Sequence, residues 1–136
     1  MKTFIIDEEA LKKGWGDEGE YWFSLSNYTV SEHRLFAHYN RPEEMTEETF
    51  MLSLGYIPYF RVRRIDLAKA YIAIIPNNKL RAALAKVKDT DYIETFWKYF
   101  NAYPAVFDAY EDFQNTYLLE KAKQWCEAHE ISYEIV

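Results

Sequence analysis

The sequence predicts an α+β fold that is mostly helical, with a C-terminal pair of aromatic helices packed against a small antiparallel sheet. Aromatic residues recur at steps of three and four along 92–103 and again along 107–125, which indicates two helices with one apolar seam. Residues 20–30 are rich in Tyr, Trp, Phe, Thr and Val around a plausible turn, a pattern typical of a β-hairpin. No repeat or flexible linker interrupts the chain, so residues 1–136 are predicted to form a single domain.

The first half of the chain contributes most of the predicted sheet. Asp7 can cap a short helix that ends at Lys13, because its side chain can accept a free N–H of the first turn. After the hairpin, residues 32–40 fit either a strand or the start of a helix. Pro42 suits the first position of a further helix, which Gly55 would close.

The second half is predicted to be mainly helical. Residues 56–62 alternate as in a strand, and Pro58 places that strand at a sheet edge or makes it a strand start. Apolar spacing predicts helices over 65–75 and 77–87, ahead of the two aromatic helices. Residues 132–136 fit a final strand.

Composition restricts the functional classes. The net charge of −6 disfavours nonspecific attraction to nucleic acid or anionic lipid. Cys126 is the only cysteine, so an intrachain disulfide is impossible and a reducing compartment is indicated. The first residues lack the basic and apolar pattern of a signal peptide, and no apolar run reaches membrane-spanning length. We therefore expect a cytoplasmic protein without a membrane partner.

Positive charge is concentrated in residues 61–88, which hold eight basic residues and one acid, Asp66. Arg61, Arg63 and Arg64 follow several aromatic residues, and such a pattern can hold phosphates and stack bases. The simpler interpretation is that this basic segment is neutralised by the acidic segments on either side. The three arginines are therefore candidate contacts for a nucleic acid or another partner.

Residues 14–19 match the G-x-G-x-x-G pattern of dinucleotide-binding loops. That loop needs a strand before it and a helix after it, whereas here a short helix precedes and a strand follows. Asp17 and Glu18 would also oppose a phosphate group. The sequence therefore favours a turn without a nucleotide, and no cofactor is predicted.

The metal ligands and nucleophiles of the chain are few. His33 and His38 are too far apart on a helix to share an ion, and too few Cys and His residues are present for a structural zinc site. Cys126 and His129 can meet on the last helix, but flanking acids favour a buried structural thiol. Four acids could also be considered as metal ligands, but they are interpreted as the solvated first turn of a helix: Glu43, Glu44, Glu47 and Glu48. No metal or catalytic residue is therefore predicted.

Residues 91–131 carry Phe96 and Phe100, Tyr103-Pro104, Tyr110, Phe113, Ala122 and Trp125, and His129-Glu130-Ile131. In this pattern the chain resembles uncharacterised protein family 0158, a group of small bacterial proteins of unknown function, and residues 56–84 resemble it more loosely. The family's Phe-Arg-Asp is Phe113-Gln114-Asn115 here, its Arg-Trp is Ala109-Tyr110, and its terminal Gly is Glu130. The resemblance implies a shared fold and supplies no activity.

The function that the sequence predicts is a non-enzymatic, macromolecule-binding domain of the bacterial cytoplasm, with another protein as partner. The excess of aromatic residues, 18% of the chain, supports this interpretation. One alternative is a nucleic-acid-associated protein that uses residues 61–88. The other is an enzyme of unrecognised type, for which the candidate residues are Glu32, His33 and His38.

Overall fold

The computed structural model describes residues 2–17, 20–36 and 39–136, and it confirms the mostly helical α+β class. The α-helices of the described residues are α1 (Glu8–Lys13), α2 (Glu47–Ser53), α3 (Arg64–Ile74), α4 (Asn78–Ala85), α5 (Asp89–Ala102) and α6 (Tyr110–Ala128). The strands are β1 (Phe4–Ile6), β2 (Tyr21–Ser24), β3 (Val30–Glu32), β4 (Tyr56–Pro58) and β5 (Tyr133–Ile135). Short 3-10 helices span His33–Phe36 and Pro104–Phe107.

The larger sheet has the antiparallel order β3-β2-β4. The predicted hairpin is confirmed, with Trp22 opposite Ser31 on one side and opposite Pro58 on the other. Pro58 lies on an edge strand, as predicted, where its missing N–H breaks no ladder of hydrogen bonds. The predicted strand over 56–62 is too long, because β4 ends at Pro58.

A second sheet pairs β1 with β5 in parallel. The register places Phe4 opposite Tyr133 and Ile6 opposite Ile135. The sequence predicts β5 but not β1, and both strands have only three residues, too few for an alternating pattern to identify either of them. This sheet joins the two ends of the described chain.

The aromatic helices pack on both α3 and the sheets. The Tyr71 ring of α3 lies within 5.2–5.7 Å of the Phe107, Tyr110 and Phe113 rings, measured between centroids. At the other end of α6, the Trp125 ring contacts Phe23 at 5.1 Å. Most of these pairs pack edge to face, an arrangement that stabilises the rings beyond the area that they bury. The predicted association of aromatic helices with a small sheet is therefore confirmed.

Two further details of the prediction are wrong. The helix expected to begin at Pro42 begins at Glu47, because the extended Thr46 accepts the Thr49 backbone N–H at 3.2 Å and so caps α2. Tyr103, placed in the buried seam by its spacing, is exposed. It follows the last residue of α5 with a non-helical backbone, so the helical period no longer applies to it.

The segment that matches the glycine-rich pattern is not an open loop, because its backbone is hydrogen-bonded to that of Val62. The Gly14 carbonyl accepts the Val62 N–H at 2.7 Å, and the Gly16 N–H donates to the Val62 carbonyl at 3.0 Å. The Phe60 ring lies directly over the Gly14 α-carbon, and Gly16 has a φ of +109°. Helix α1 precedes this segment and β2 follows it, as the sequence indicates. The last two positions of the pattern lie outside the described residues.

Candidate functional site

A cleft of about 420 Å³ lies between the start of β2, the first turn of α2 and the chain after β4. This volume is within the range of small-ligand sites. Its wall is aromatic, with Trp22, Tyr59 and Phe60. Charges of both signs border it: Lys13, Glu20, Glu47, Glu48 and Arg61. The cleft therefore combines an apolar wall with groups that can orient a charged ligand.

Glu20, His33 and Glu47 lie together beside this cleft. The antiparallel register brings the two ends of the hairpin side by side, and the His33 N–H donates to the Glu20 carbonyl at 2.8 Å. Glu47 is the first residue of α2, and the Thr46 cap fixes where that helix begins. Three segments distant in sequence thus converge on one point. We call these residues the Glu-His-Glu cluster.

The polar atoms of the Glu-His-Glu cluster are close enough to share an ion. His33 Nδ1 lies 3.3 Å from Glu47 Oε1 and 3.7 Å from Glu20 Oε2. One ligand atom from each of the three residues lies within 4.8 Å of the other two. All three side chains are partly open to solvent. Small ions can therefore reach the cluster from bulk water.

Trp22 contacts the imidazole directly in this arrangement. Its indole Nε1–H donates to His33 Nδ1 at 2.9 Å, so Nδ1 accepts this hydrogen bond with its in-plane lone pair. The two carboxylates beside it are also electron-pair donors when ionised. Three electron-pair donors therefore converge at this point, and the Trp22 N–H is hydrogen-bonded to one of them, His33 Nδ1.

The three predicted contact arginines lie near one another, at the start of α3. Arg61 donates to the Asp17 carbonyl at 3.2 Å, and Arg64 Nε donates to the Asp17 carboxylate at 2.9 Å. This bond, together with one from the Arg64 backbone N–H to the same carboxylate at 3.0 Å, lowers the pKa of the Asp17 carboxyl. Arg63 makes two bonds to Asp66, at 3.0 and 3.1 Å. Carboxylates therefore meet the charges of Arg63 and Arg64, and contact with nucleic acid stays a prediction.

The other sequence candidates among the described residues lie in two parts of the fold, the hairpin and the end of α6. Glu32 pairs with Arg34 on the exposed end of the hairpin. Cys126 is fully buried, as predicted, and burial raises the pKa of its thiol to about 11. A thiol with so high a pKa is a poor nucleophile at neutral pH. His129 is exposed and packs against Trp125, with ring centroids 5.4 Å apart. His38 lies outside the described residues.

Exposed apolar side chains lie on three segments: the hairpin turn, the first 3-10 helix with Tyr39 shortly after it, and the end of α2. We call them the leucine surface: Leu25, Leu35, Tyr39, Leu52 and Leu54. The Leu25 N–H donates to the Gly55 carbonyl at 2.8 Å, which joins the hairpin turn to the end of α2. The Phe36 ring lies 4.8 Å from that of Tyr56 and 5.4 Å from that of Tyr39, which extends the region toward the first 3-10 helix.

Sequence reasoning missed the Glu-His-Glu cluster and the leucine surface. It assigned Glu47 to a solvated helical face, considered His33 only together with His38 and Glu32, and did not consider Glu20. The available signal was the hairpin itself, since antiparallel pairing around a short turn makes residues 20 and 33 neighbours. No pattern along the chain indicates that α2 folds back onto this sheet.

The chain matches no protein-family model, no curated protein and no solved structure. The resemblance to family 0158 therefore stays a prediction. None of the helices formed by residues 2–17, 20–36 and 39–136 combines the length and the apolar character needed to cross a membrane.

Proposed function

We propose that this chain is a protein-binding domain whose partner docks on the leucine surface. The observation that carries this proposal is the exposure of large aliphatic side chains on segments that contact one another: Leu35 is 56% exposed and Leu52 is 55% exposed. Isolated exposed leucines are ordinary, whereas a group of them often marks an interaction site. As part of the same proposal, we assign the domain to the bacterial cytoplasm, in line with its single buried cysteine.

The size of the surface sets the strength of binding that it can support. Full burial of one leucine contributes about 1.5–3 kcal/mol, so a half-exposed leucine can still gain roughly 1 kcal/mol on docking. The five side chains together can then contribute on the order of 5 kcal/mol, near the lower end of the cost of association. The apolar contact alone therefore only about offsets the cost of association, and polar contacts at the rim must supply the net affinity.

The charge around the leucine surface indicates the character of the partner. Helix α2 joins this surface at its end and carries Glu47 and Glu48 in its first turn. Glu43 and Glu44, just before α2, are also exposed. A partner with an apolar centre and a basic rim would complement both features, because opposite potentials speed association and select the partner.

The test replaces Leu52 and Leu54 with glutamine, which removes apolar area without adding charge. Ile74 is the matched control, because it is a 65% exposed aliphatic residue at the end of a different helix. Each protein is immobilised, incubated with lysate from its source, and its retained proteins are quantified by mass spectrometry. We expect the wild type and Ile74→Gln to retain one protein in a fixed ratio. The double variant should retain at least about tenfold less of it, which corresponds to a loss of roughly 1.4 kcal/mol in binding free energy.

The protein recovered in this way is then purified and titrated against all three chains. Equal affinities for the wild type and the double variant would refute the proposal. Light scattering of each chain alone identifies the remaining case, in which the partner is a second copy. A wild-type dimer that the double variant converts to a monomer would show that the surface binds itself.

A further inference from the structure

We propose that the Glu-His-Glu cluster binds one divalent transition-metal ion of the zinc class. The site would consist of Glu20, His33 and Glu47, contributed by the two ends of the hairpin and the first residue of α2. It shares Glu47 with the acidic rim of the protein-binding proposal but does not rest on that proposal, and the Glu20→Gln and His33→Gln variants test it without changing Glu47.

The separations of the polar atoms fit a shared ion. Two atoms that each bind a tetrahedral zinc ion at about 2.0–2.1 Å lie about 3.4 Å from one another. The distances from His33 Nδ1 are 3.3 Å to Glu47 and 3.7 Å to Glu20, and all three ligand atoms lie within 4.8 Å of one another, so side-chain rotations can bring all three residues to bonding distance. The backbone positions of the hairpin and of α2 need not change.

The chemistry of these ligands selects the class of metal. Two carboxylates balance the charge of a divalent cation, and an ion between them would relieve their mutual repulsion. An imidazole nitrogen favours zinc, copper, nickel and iron, whereas magnesium and calcium prefer oxygen ligands alone. We therefore expect the site to bind zinc strongly in preference to magnesium.

Binding must compete with the hydrogen bond from Trp22. Nδ1 has one in-plane lone pair, and in the metal-free arrangement the Trp22 indole N–H occupies it. An ion bound at Nδ1 therefore displaces this N–H and changes the surroundings of a buried indole. This displacement is specific to the proposed geometry, because metal held by exposed carboxylates elsewhere would leave Trp22 unaffected.

Three protein ligands leave at least one position of a tetrahedral ion open. Glu20 and Glu47 also line the 420 Å³ cleft, on whose border Lys13 and Arg61 lie. The open position is therefore next to a cavity with basic groups. Water or an anionic group of a small ligand can fill it.

The first test is calorimetric titration of zinc chloride into untagged, chelator-treated protein. The variants are Glu20→Gln, His33→Gln and Glu47→Gln, and the matched controls are Glu48→Gln and His129→Gln. We expect one zinc per chain in the wild type and both controls, and at least about tenfold weaker binding in each cluster variant, since even supporting contacts of metal sites have effects of that size. Circular dichroism verifies that every variant is folded.

The second test uses indole fluorescence during the same titration. Zinc should change the emission of the wild type, and Trp22→Phe should lose that change. The same substitution should leave zinc affinity equal or raise it a few-fold, because it removes the competing donor from Nδ1.

Three results would overturn the proposal. The first is a wild-type protein that does not bind zinc at millimolar concentration. The second is undiminished binding in folded His33→Gln, and the third is equal weakening in the cluster variants and the controls. Binding at the cluster with an unchanged Trp22 signal would overturn the assignment of Nδ1 as the ligand atom.

Discussion

Replacement of Gly14 by alanine should destabilise the fold through the ring of Phe60. A β-carbon added to Gly14 would lie 2.2, 2.4 and 2.6 Å from three atoms of that ring. Carbon atoms pack at about 3.5 Å or more, so the ring would have to move by about 1.3 Å. Phe60 is buried in the hydrophobic core, where neighbouring side chains resist such a movement. The Gly14 backbone has a φ of −86°, which any residue adopts, so backbone strain contributes nothing.

The expected cost follows from the overpacking of well-filled cores, which is typically about 1–3 kcal/mol. Because the overlap involves three ring atoms, we expect a loss of about 3 kcal/mol in the free energy of unfolding. For a chain of this length that corresponds to a fall of roughly 10 °C in Tm. Chemical and thermal unfolding, followed by circular dichroism, measure both quantities.

A double-mutant cycle identifies the cause. Phe60→Leu removes the three overlapping ring atoms and keeps an apolar side chain, so Gly14→Ala in that background should cost less than about 1 kcal/mol. Gly16 is the matched control glycine: its φ is +109°, and a β-carbon added there would meet nothing within 4 Å. Gly16→Ala should therefore cost about 1 kcal/mol in either background, from backbone strain alone. Equal effects of Gly14→Ala with and without the Phe60 ring would refute the reasoning.

Three further predictions concern the core and its ionisable groups. Phe96→Ala should lower the free energy of unfolding by about 3–5 kcal/mol and Trp97→Ala by much less, because Phe96 is 1% exposed and Trp97 is 40% exposed. Denaturant unfolding measures both losses, and similar values would contradict this prediction. Burial gives Cys126 a pKa of about 11 in the folded state, against about 8.5 in the unfolded chain. Below about pH 8.5 the thiol is protonated in both states, so its ionisation does not change the free energy of unfolding. Between about pH 8.5 and 11 only the unfolded chain loses the proton, and the free energy of unfolding falls by up to about 3 kcal/mol. Cys126→Ala should remove this decline, and parallel pH curves for the two proteins would show the shift to be absent. Arg64 lowers the pKa of the exposed Asp17 carboxyl, so Asp17→Asn should lower the free energy of unfolding by less than about 1 kcal/mol near neutral pH. This difference should disappear as acid protonates the wild-type carboxyl. A difference that persists in strong acid would exclude this ion pair as its source.

The longer elements were predictable because their apolar residues repeat with a regular period. Helices α3 to α6 have 8 to 19 residues, enough turns for the spacing to show. Strand β1 has three residues, and its partner is at the other end of the chain. The start of α2 was misplaced because Pro42 and Thr46 are both acceptable helix starts, and the sequence does not show which one the chain uses.

The candidate site was harder to predict than the fold, for a reason that its own residues show. Glu20 and His33 become neighbours through strand register, and Glu47 joins them only after α2 packs against the edge strand. None of these three residues is close to the others in sequence or belongs to a recognised motif. Sequence spacing reports which residues share a face of one element, whereas this cluster depends on the packing of three.

The parallel pairing of β1 with β5 gives the fold a defined response to mechanical tension. A force applied upstream of Phe4 and downstream of Ile135 pulls on opposite ends of the strand pair, so it loads the ladder in shear. The outer bonds, from the Phe4 N–H to Ser132 and from the Val136 N–H to Ile6, would then bear the load together. We expect single-molecule stretching from these ends to show one high-force rupture, and unfolding at low force in many small steps would contradict it. The strand pair would act as a mechanical clamp that keeps the helices folded while the chain is under tension.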